Sequence, residues 1–349
     1  RHSIGQGNPC FIIAEACMNH MGKFELAKEL VVESKRAGAD AVKFQYHIAD
    51  AEMLPTVQIK DGGGNPLYEF IQKNALTIDQ HKKLMALAEK EDITYLCTPF
   101  STQAALELNE IGLSAFKIGS GELTDTLSLE RIAECKKPML VSTGMSTLEE
   151  IDRTYELLIE KNVPLALLNC ISEYPPVYED MNMDFITVMK NRYPHAVIGH
   201  SDHTVDAYTS LLAVMLGANI VEKHIILDKS EKGGDWEVSL DCTEFAAMVD
   251  GIRKIEASRG TERKVHTKEQ PTRDWALHYA VAARGLKAGT VITEDMIAPG
   301  NIWTKRTGES GGIAPADVKA LIGATVKEDI APNSALKAEN FALAIKTTA

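Results

Sequence analysis

Short apolar runs of strand length recur from the start of the chain to about residue 223. They occupy residues 10–14, 41–45, 93–97, 115–118, 139–142, 165–168, 196–199 and 220–223. Segments with helical spacing separate most of them. Residues 24–36, for example, place Leu26, Leu30 and Val31 on one face before Gly38, a residue type that commonly ends helices. Parallel strands need such crossovers, so the pattern predicts repeated β/α units.

A small polar cluster lies at or just past the end of each run. The clusters are residues 15–20, 43–45, 98–101, 117–122, 142–144, 169–174, 200–203 and 222–224. In a closed barrel of eight parallel strands, all strand carboxyl ends open onto one mouth, which would bring these clusters together. A doubly wound open sheet is the alternative, but it gathers functional residues at one switch point. We therefore predict a (β/α)8 TIM barrel over residues 1–257, with an active site at its mouth.

The character of the sequence changes near residue 257. Residues 258–277 are rich in charged side chains, which is typical of a linker. Beyond them, residues 286–296 are echoed by residues 330–341, which indicates two copies of a turn-and-strand unit in a small β-rich domain over 278–349. A domain of this size buries little core, so we expect it to pack against a barrel, its own or a partner's.

Composition narrows the classes of function. The 49 acidic residues outnumber the 37 basic ones, which gives a net charge of −12. This surplus argues against nucleic acid or an anionic membrane as the main partner, and any anionic ligand needs a local basic pocket. The six cysteines lack CxxC spacing, and no membrane-spanning run or signal-peptide pattern is present. We expect reduced thiols and a cytoplasmic protein without a nucleic-acid or membrane partner.

Two histidines indicate a metal site. His203 follows the seventh run and His224 the eighth, so the two imidazoles would meet at the mouth of a closed barrel. With Glu15 nearby, they suit a divalent transition metal such as Mn²⁺, Fe²⁺, Co²⁺ or Zn²⁺ that keeps open positions for water or substrate. The alternative is a pair of structural, hydrogen-bonded histidines.

Two lysines and several hydroxyls indicate an anion site. Lys43 and Lys117 interrupt apolar strands, where an ammonium needs a partner, either a ligand or a structural carboxylate inside the barrel. Ser120 and Ser142 lie with glycines at strand-to-helix turns, which favour phosphate, and Thr98 adds a hydroxyl on a rigid turn. A substrate with both a phosphate and a carboxylate would engage all of these groups.

Taken together and in order, the motifs resemble the N-acetylneuraminate (sialic acid) synthase family. The resemblance rests on residues 15–20, 42–45, 97–101, 116–122, 142–145, 174–175, 199–204 and 222–224. The tail, with its Lys305-Arg306 pair, is similar to the antifreeze-like (SAF) domain of the same enzymes. Related synthases make legionaminic and pseudaminic acids.

The resemblance implies that phosphoenolpyruvate condenses with an open-chain N-acetylated hexosamine, typically N-acetylmannosamine, to give a nine-carbon 2-keto acid and phosphate. A divalent metal, Mn²⁺ or another such as Mg²⁺ or Co²⁺, would be held by His203 and His224. The implied phosphoenolpyruvate contacts are Lys43, Thr98, Lys117, Ser120, Ser142 and Ser172. The implied sugar contacts are Gln45, Glu122, Tyr174, Asp235 and Arg306. The family places this arginine in the partner's SAF domain, which implies a domain-swapped homodimer.

For catalysis, Glu15 is our first candidate for managing water or proton transfer and Glu122 the second, since a carboxylate between a metal and a phosphate can be tuned for either duty. The chain departs from the family pattern near the sugar. Residues 233–236 read Gly-Gly-Asp-Trp where relatives commonly have Gly-Pro-Asp-His, and Ser172 stands where Asn or Thr is usual. A di-N-acetylated 6-deoxyhexose is therefore an alternative substrate, and Trp236 either favours it or packs the loop.

Two other function classes stay open. One is a Schiff-base aldolase with Lys117 as its nucleophile, because a lysine at a strand end of a barrel can serve that role. The other is a non-catalytic sugar-binding or ice-binding protein, which only the tail suggests. The full set of polar groups at the strand ends favours the synthase over both.

Overall fold

The computed structural model describes residues 3–59 and 65–342, and the chain divides into two compact units, residues 1–259 and 260–349. The first unit is a closed barrel of eight parallel strands, because the eighth strand pairs with both the seventh and the first. The strands are β1 (Phe11–Cys17), β2 (Ala41–Tyr46), β3 (Thr94–Pro99), β4 (Phe116–Ile118), β5 (Met139–Ser142), β6 (Leu165–Cys170), β7 (Ala196–Asp202) and β8 (Ile220–Ile226). The predicted TIM barrel is confirmed.

Helices connect and cover the strands. They are α1 (Phe24–Arg36), α2 (Ala49–Glu52), α3 (Leu67–Asn74), α4 (Ile78–Lys90), α5 (Thr102–Glu110), α6 (Thr126–Ala133), α7 (Leu148–Glu160), α8 (Phe185–Arg192), α9 (Tyr208–Met215) and α10 (Cys242–Ser258). A short hairpin pairs Gln58–Ile59 with Asn65–Pro66, and β9 (Leu240–Asp241) extends the sheet from β8. The bounds of α1 are those that its apolar periodicity predicts, and it buries Ala27, Leu30 and Val31.

The inside of the barrel has an apolar floor. It is formed by Phe11, Ile13, Ala41, Leu96, Leu140, Ala166, Leu168 and Ile220. Alternate residues of a strand face the same side, so the residue two positions after a floor residue also faces inward, nearer the mouth. The residues at these positions include Glu15, Lys43, Thr98, Ser142 and Glu222. One alternation therefore produces both the floor and the polar layer above it.

The second unit contains a small antiparallel sheet. Its central strand, β10 (His278–Ala282), pairs with β11 (Ile302–Arg306) and β12 (Ser334–Ala335). The two echoing segments meet, since Leu286 and Ile330 exchange backbone hydrogen bonds. The predicted small β-rich domain is confirmed. Its limits and the linker 258–277 stay predictions: helix α11 (Gln270–Ala276) lies within that linker, and residues 1–2 and 343–349 lie outside the described residues.

Two further observations concern compartment and chemistry. In residues 3–59 and 65–342, no helix combines the length and the apolar character needed to cross a membrane. The six cysteines, all within these ranges, are free, as the sequence predicts.

Candidate active site

The carboxyl ends of the barrel strands surround a cavity of about 310 Å³, which we call the inner cavity. The predicted site residues that line it are Glu15, Lys43, Gln45, Thr98, Lys117, Ser120, Glu122, Ser142, Ser172, Tyr174, His203 and His224. Asp235 lines an adjoining cavity, and Arg306 belongs to the second unit. The fold therefore brings these barrel residues to one mouth, while their individual roles remain predictions.

Four buried charges form a network in the inner cavity. Lys43 Nζ lies 2.6 Å from Glu15 Oε2 and 3.7 Å from Glu222 Oε1, and Lys117 Nζ lies 3.8 Å from the same Glu222 oxygen. Burial raises the pKa of Glu15 to about 7, against the opposing charge of Lys43 and with a further rise from Glu222. Burial also lowers the pKa of Lys117, and Lys43 adds to that fall. Negative charge brought in by a ligand would favour a protonated Glu15 and a charged Lys117.

Beside Lys117 lie Ser120, Ser142, Gly144 and Ser172, a group that we call the hydroxyl cradle. Lys117 Nζ donates to Ser142 Oγ at 2.7 Å, and Gly144 N donates to Ser120 Oγ at 3.1 Å. A Cβ atom on Gly144 would overlap Ser172 Oγ and lie 2.8 Å from Ser120 Oγ. Glycine at this position therefore lets the hydroxyls approach the backbone closely, as a phosphate-binding turn requires.

Glu122 is a second carboxyl group with an unusual environment. Its Oε2 atom is buried and has no hydrogen-bond partner among the described residues. Burial raises the pKa of Glu122 to about 7, although Lys117 opposes the rise. Gly119 makes room for this carboxyl group, because a Cβ atom there would collide with Glu122 Oε2. A carboxyl group that titrates near neutral pH can donate or accept a proton during turnover.

The two histidines face each other at the mouth. The ring centroids of His203 and His224 are 5.2 Å apart, and Tyr174 stacks on His203 at 4.2 Å. His203 Nδ1 donates to Ile171 O at 2.8 Å, which leaves the lone pair of the neutral ring on Nε2. Burial disfavours a charge on this ring, but Cys170 outweighs burial and raises the pKa of His203. Burial lowers the pKa of His224 well below its usual value, and its Nδ1 has no hydrogen-bond partner among the described residues. Neutral imidazoles with free lone pairs are metal ligands.

Other possible ligands surround His224. Cys17, His224 and Asp235 offer ligand atoms that lie within 4.8 Å of one another, and Asp235 Oδ2 is 3.7 Å from His224 Nδ1. Nitrogen, oxygen and sulfur donors together suit a divalent transition metal. The sequence prediction set Glu15 near the histidines. In the structure Glu15 is the ladder partner of His224 between β1 and β8, and its carboxylate is ion-paired with Lys43.

The adjoining cavity, which we call the outer cavity, has a volume of about 880 Å³. It shares Gln45, Phe100 and Tyr174 with the inner cavity. Apolar side chains on its wall come from Met18, Leu67, Phe70 and Ile71. The two cavities together offer space for a charged small molecule and a longer, less charged one.

The loop that carries Asp235 is anchored by Asn19. Asp235 N donates to Asn19 Oδ1 at 2.9 Å. The preceding residue, Gly234, has a φ of +57°, and a Cβ atom on it would lie 2.5 Å from Asn19 Oδ1. Trp236 is not among the described residues that line either cavity, and Lys232 Nζ lies 5.4 Å above its ring. These contacts favour loop packing over a sugar contact for Trp236.

Some residues of the inner cavity were given no role by the sequence reasoning. Glu222 lies between the two lysines, and Ser201 donates to it at 3.0 Å. The alternation of strand residues could have revealed both, because residues two positions apart face the same side of a strand. Glu222 precedes His224 by two positions, and Ser201 precedes His203 by two. Cys170 and Phe100 also line the cavity, and both fall within the clusters at the strand ends, although the sequence assigned neither of them a role.

Arg306 lies at the end of β11 in the second unit. Its side chain is exposed, and its guanidinium lies 5.4 Å above the ring of Trp275. A contact of this arginine with a sugar therefore stays a prediction.

Comparisons with known proteins agree with the resemblance seen in the motifs. A model of the NeuB family matches residues 30–264, and a model of the SAF domain matches residues 278–342. The chain is 35% identical over 322 residues to an N,N'-diacetyllegionaminic acid synthase of Campylobacter jejuni, covering 89% of this chain and 94% of the relative. It is 34% identical over 339 residues to a pseudaminic acid synthase of the same species, covering 95% and 96%.

A solved structure supports the same assignment. The crystal structure of N-acetylneuraminic acid (sialic acid) synthetase from Leptospira borgpetersenii, in complex with citrate, aligns with a TM-score of 0.69 and 31% identity. The alignment covers 76% of this chain and 91% of that one. With the family model, the relatives and the barrel in agreement, the chain is an enzyme that belongs to the NeuB family and carries a SAF domain after its barrel.

Proposed function

We propose that this enzyme condenses phosphoenolpyruvate with open-chain N-acetylmannosamine and water to give N-acetylneuraminate and phosphate. The observation that carries the proposal is the presence, at one barrel mouth, of two buried ammonium groups beside the hydroxyl cradle and of two facing histidines. The first set suits a phosphate and a carboxylate, and the second suits a metal that binds a carbonyl oxygen.

In this proposal phosphoenolpyruvate occupies the inner cavity. Its anionic groups take Lys43, Thr98, Lys117 and the hydroxyl cradle as partners. Lys43 Nζ already donates to Thr98 Oγ1 at 2.9 Å, as Lys117 does to Ser142, so each ammonium is held in place before a ligand arrives. The dianionic phosphate raises the proton affinity of Glu15, and binding at pH 8 should take up a proton. Calorimetric titrations in buffers of different ionisation enthalpy measure that uptake, and Glu15→Gln should reduce it.

The residues at the mouth fit a divalent cation. We propose that His203 and His224, with Asp235 as a further donor, hold Mn²⁺, or another ion such as Mg²⁺ or Co²⁺. When bound, such an ion supplies a Lewis acid for the aldehyde of the sugar. The chain keeps His224 neutral through burial and fixes the tautomer of His203 through the Ile171 carbonyl group.

The chemistry needs two proton transfers from the chain's own groups. C3 of phosphoenolpyruvate bonds to the aldehyde carbon, whose oxygen gains a proton. Water adds at C2 and loses a proton, and the tetrahedral species releases phosphate by breaking its C–O bond. Glu15 is our first candidate to manage the water or the proton, and Glu122 is the second. A Glu15→Gln enzyme that binds Mn²⁺ and keeps most of its turnover would overturn the first assignment.

The sugar is expected in the outer cavity. We propose Gln45, Tyr174 and Asp235 as its contacts, together with the partner subunit's Arg306. The apolar wall of this cavity supports a second candidate, a di-N-acetylated 6-deoxyhexose, whose methyl group would contact it. The product would then be legionaminic or pseudaminic acid, which are the products named for the two Campylobacter relatives.

Phosphate release distinguishes these sugars. The purified protein is incubated with Mn²⁺, phosphoenolpyruvate and either N-acetylmannosamine or 2,4-diacetamido-2,4,6-trideoxymannose. Release with the first sugar alone supports a sialic acid synthase, and release with the second alone supports a legionaminic-type enzyme. Release with neither sugar, in the presence of metal, contradicts the sialic acid synthase and the legionaminic-type enzyme.

One observation favours a different chemistry and needs its own test. Burial lowers the pKa of Lys117, as a Schiff-base lysine requires. Its Nζ nevertheless donates to Ser142 Oγ and to Ile118 O, which occupies it with a structural role. We expect no trapping of substrate by borohydride, and a covalent adduct on Lys117 would support the aldolase instead.

We also propose a domain-swapped homodimer in which the SAF domain of one subunit covers the barrel mouth of the other. Mixing Arg306→Ala subunits with His203→Ala subunits tests it. In a random mixture, about a quarter of the sites would hold both native residues, so activity should recover to roughly that share. No recovery in mixtures shown to exchange subunits would mean that the SAF domain serves its own barrel.

A further inference from the structure

A chain of hydrogen bonds runs from the wall of the outer cavity to Glu15. His47 Nδ1 lies 2.8 Å from Glu52 Oε2, and His47 Nε2 lies 3.2 Å from Gln45 Oε1. At the other end of its side chain, Gln45 Nε2 donates to Glu15 Oε1 at 3.1 Å. Neither His47 nor Glu52 has a part in the proposed reaction. Nevertheless, His47 is two hydrogen bonds away from the carboxyl group that we assign to it, and Glu52 is three.

While Glu15 is a carboxylate, the donors and acceptors along this chain agree in only one direction. A Gln45 amide that is turned over would then present its oxygen to the Glu15 oxygen and repel it. Its oxygen must therefore face His47 and needs a donor there. An imidazole with a hydrogen on each nitrogen meets this need, because Nδ1 then donates to Glu52 while Nε2 donates to Gln45 Oε1. The pair thus selects the amide orientation that donates to Glu15.

The imidazole is held rigidly for this purpose. Its ring stacks on Phe100 with centroids 4.2 Å apart and an angle of 14° between the planes. The ring is buried, while the one-turn helix α2 brings Glu52 back against it. A fixed ring with a fixed carboxylate can hold an amide in one orientation, as outer partners do for many catalytic groups.

We propose that His47 and Glu52 are positioning residues, which fix the Gln45 amide so that it donates to Glu15 at the boundary of the inner and outer cavities. The inference rests on the proposed function for the step that it supports. Without the pair, the amide can turn, and Glu15 loses the donor on Oε1 while it keeps Lys43 on Oε2. The sugar-dependent step should therefore suffer more than phosphoenolpyruvate binding.

The kinetic test uses His47→Phe, which keeps a ring against Phe100 but removes both nitrogens. We expect kcat/KM for the sugar to fall about 10- to 100-fold, and the Kd of phosphoenolpyruvate to stay within about twofold. Glu52→Ala should show a similar loss. Glu52→Gln should retain most of the activity, because its amide nitrogen can donate to Nδ1 of a neutral imidazole and so keep the hydrogen on Nε2. His195→Phe, an exposed histidine before β7, is the matched control. Equal losses for both substrates, or none, would contradict the proposal.

Chemical rescue adds a readout that a merely structural role would not move. His47→Ala leaves a ring-sized space on the wall of the outer cavity. Free imidazole should enter it and restore part of the lost turnover in a saturable way, while imidazole should leave His195→Phe unchanged. Loss of activity without any rescue, in a protein that still melts cooperatively, would count against positioning by the ring.

A structural comparison decides the matter without turnover. Crystal structures of the unaltered protein and of His47→Phe should show Gln45 turned away from Glu15, beyond hydrogen-bond reach, in the variant alone. A Gln45 amide nitrogen kept near 3.1 Å from Glu15 Oε1 in His47→Phe, identified by its deuterium atoms in a neutron structure, would overturn the inference. If the unaltered enzyme releases no phosphate with any acceptor, the proposed function fails, and this comparison still tests the positioning pair. Should His47→Phe not fold, Glu52→Ala is crystallised instead.

Discussion

The inner and outer cavities are built from different parts of the chain. The inner one is lined largely by side chains within the strands, such as Lys43 in β2 and Ser142 in β5. The outer one is lined by residues beyond strand ends, such as Met18, Phe100 and Asp235. Strand residues are fixed by ladder hydrogen bonds and packing, whereas loops tolerate change. In the proposed function, the barrel strands would therefore determine where the anions bind, and the loops would determine which sugar is accepted.

Removal of the Lys43 side chain should have the largest effect on stability and activity, and it should disrupt only the inner cavity. Lys43→Met leaves Glu15 and Glu222 buried without the cation that lies 2.6 and 3.7 Å from them. We expect a loss of roughly 3 to 5 kcal/mol in the free energy of unfolding, measured with urea. We also expect a fall of at least about 1000-fold in kcat/KM for phosphoenolpyruvate. Lys82→Met, an exposed change on α4, is the control, and a variant as stable as the parent would contradict the network.

A substitution in the hydroxyl cradle should separate the two substrates. A Cβ atom in Gly144→Ala would displace Ser120 and Ser172, so the KM for phosphoenolpyruvate should rise about 10- to 100-fold. The KM for the sugar should change by less than about threefold. Steady-state assays with each substrate varied in turn measure this. A rise confined to the sugar would show that the cradle does not bind phosphate.

The mirror experiment is Gly234→Ala in the outer cavity. Both the positive φ and the contact with Asn19 disfavour a side chain here, so the Asp235 loop should shift. We expect the KM for the sugar to rise about tenfold while the Kd of phosphoenolpyruvate stays the same. Gly144→Ala should thus weaken phosphoenolpyruvate binding alone, and Gly234→Ala should weaken sugar binding alone. If both variants affect both substrates alike, the division into two cavities is wrong.

The smallest effect concerns pH and stability. Burial raises the pKa of Glu122 from 4.5 to about 7 in the folded protein, so the folded state holds this proton more tightly. The stability contributed by Glu122 is therefore complete below about pH 4.5 and is lost as the pH rises to about 7. Glu122→Gln removes this loss. Relative to the parent, the variant should gain roughly 1 to 3 kcal/mol between pH 5 and pH 8 in urea unfolding. If the variant and the parent differ in unfolding free energy by the same amount at pH 5 and at pH 8, the raised pKa of Glu122 is contradicted.

Much of the inner cavity could be predicted because strand residues alternate. Once the apolar runs are recognised, Glu15, Lys43 and Ser142 must share one side with the floor beneath them. The pairing within the cavity could not be predicted. No spacing states that Glu222 lies between two lysines, since they come from strands far apart in sequence.

The outer cavity was harder to predict from the sequence, because its walls come from loops that meet only in the folded barrel. Asn19 and Asp235 are 216 positions apart, and their hydrogen bond forms only when the barrel brings the loops after β1 and β8 together. His47 was missed for a local reason. The polar cluster was ended at Gln45, and the one-turn helix that returns Glu52 to the imidazole has no apolar period to reveal it.

The apolar floor of the barrel has a consequence for the order of events. Below Glu15 and Lys43, the described apolar side chains fill the interior of the barrel. Reactants must therefore enter, and products leave, through the mouth. With a single opening, a molecule bound deeper in the barrel must enter before one bound nearer the mouth. In the proposed reaction, phosphoenolpyruvate must therefore enter before the sugar, and phosphate must leave after the newly made sugar acid. We expect a sequential, ordered kinetic mechanism, because eight packed apolar side chains close the other end of the barrel.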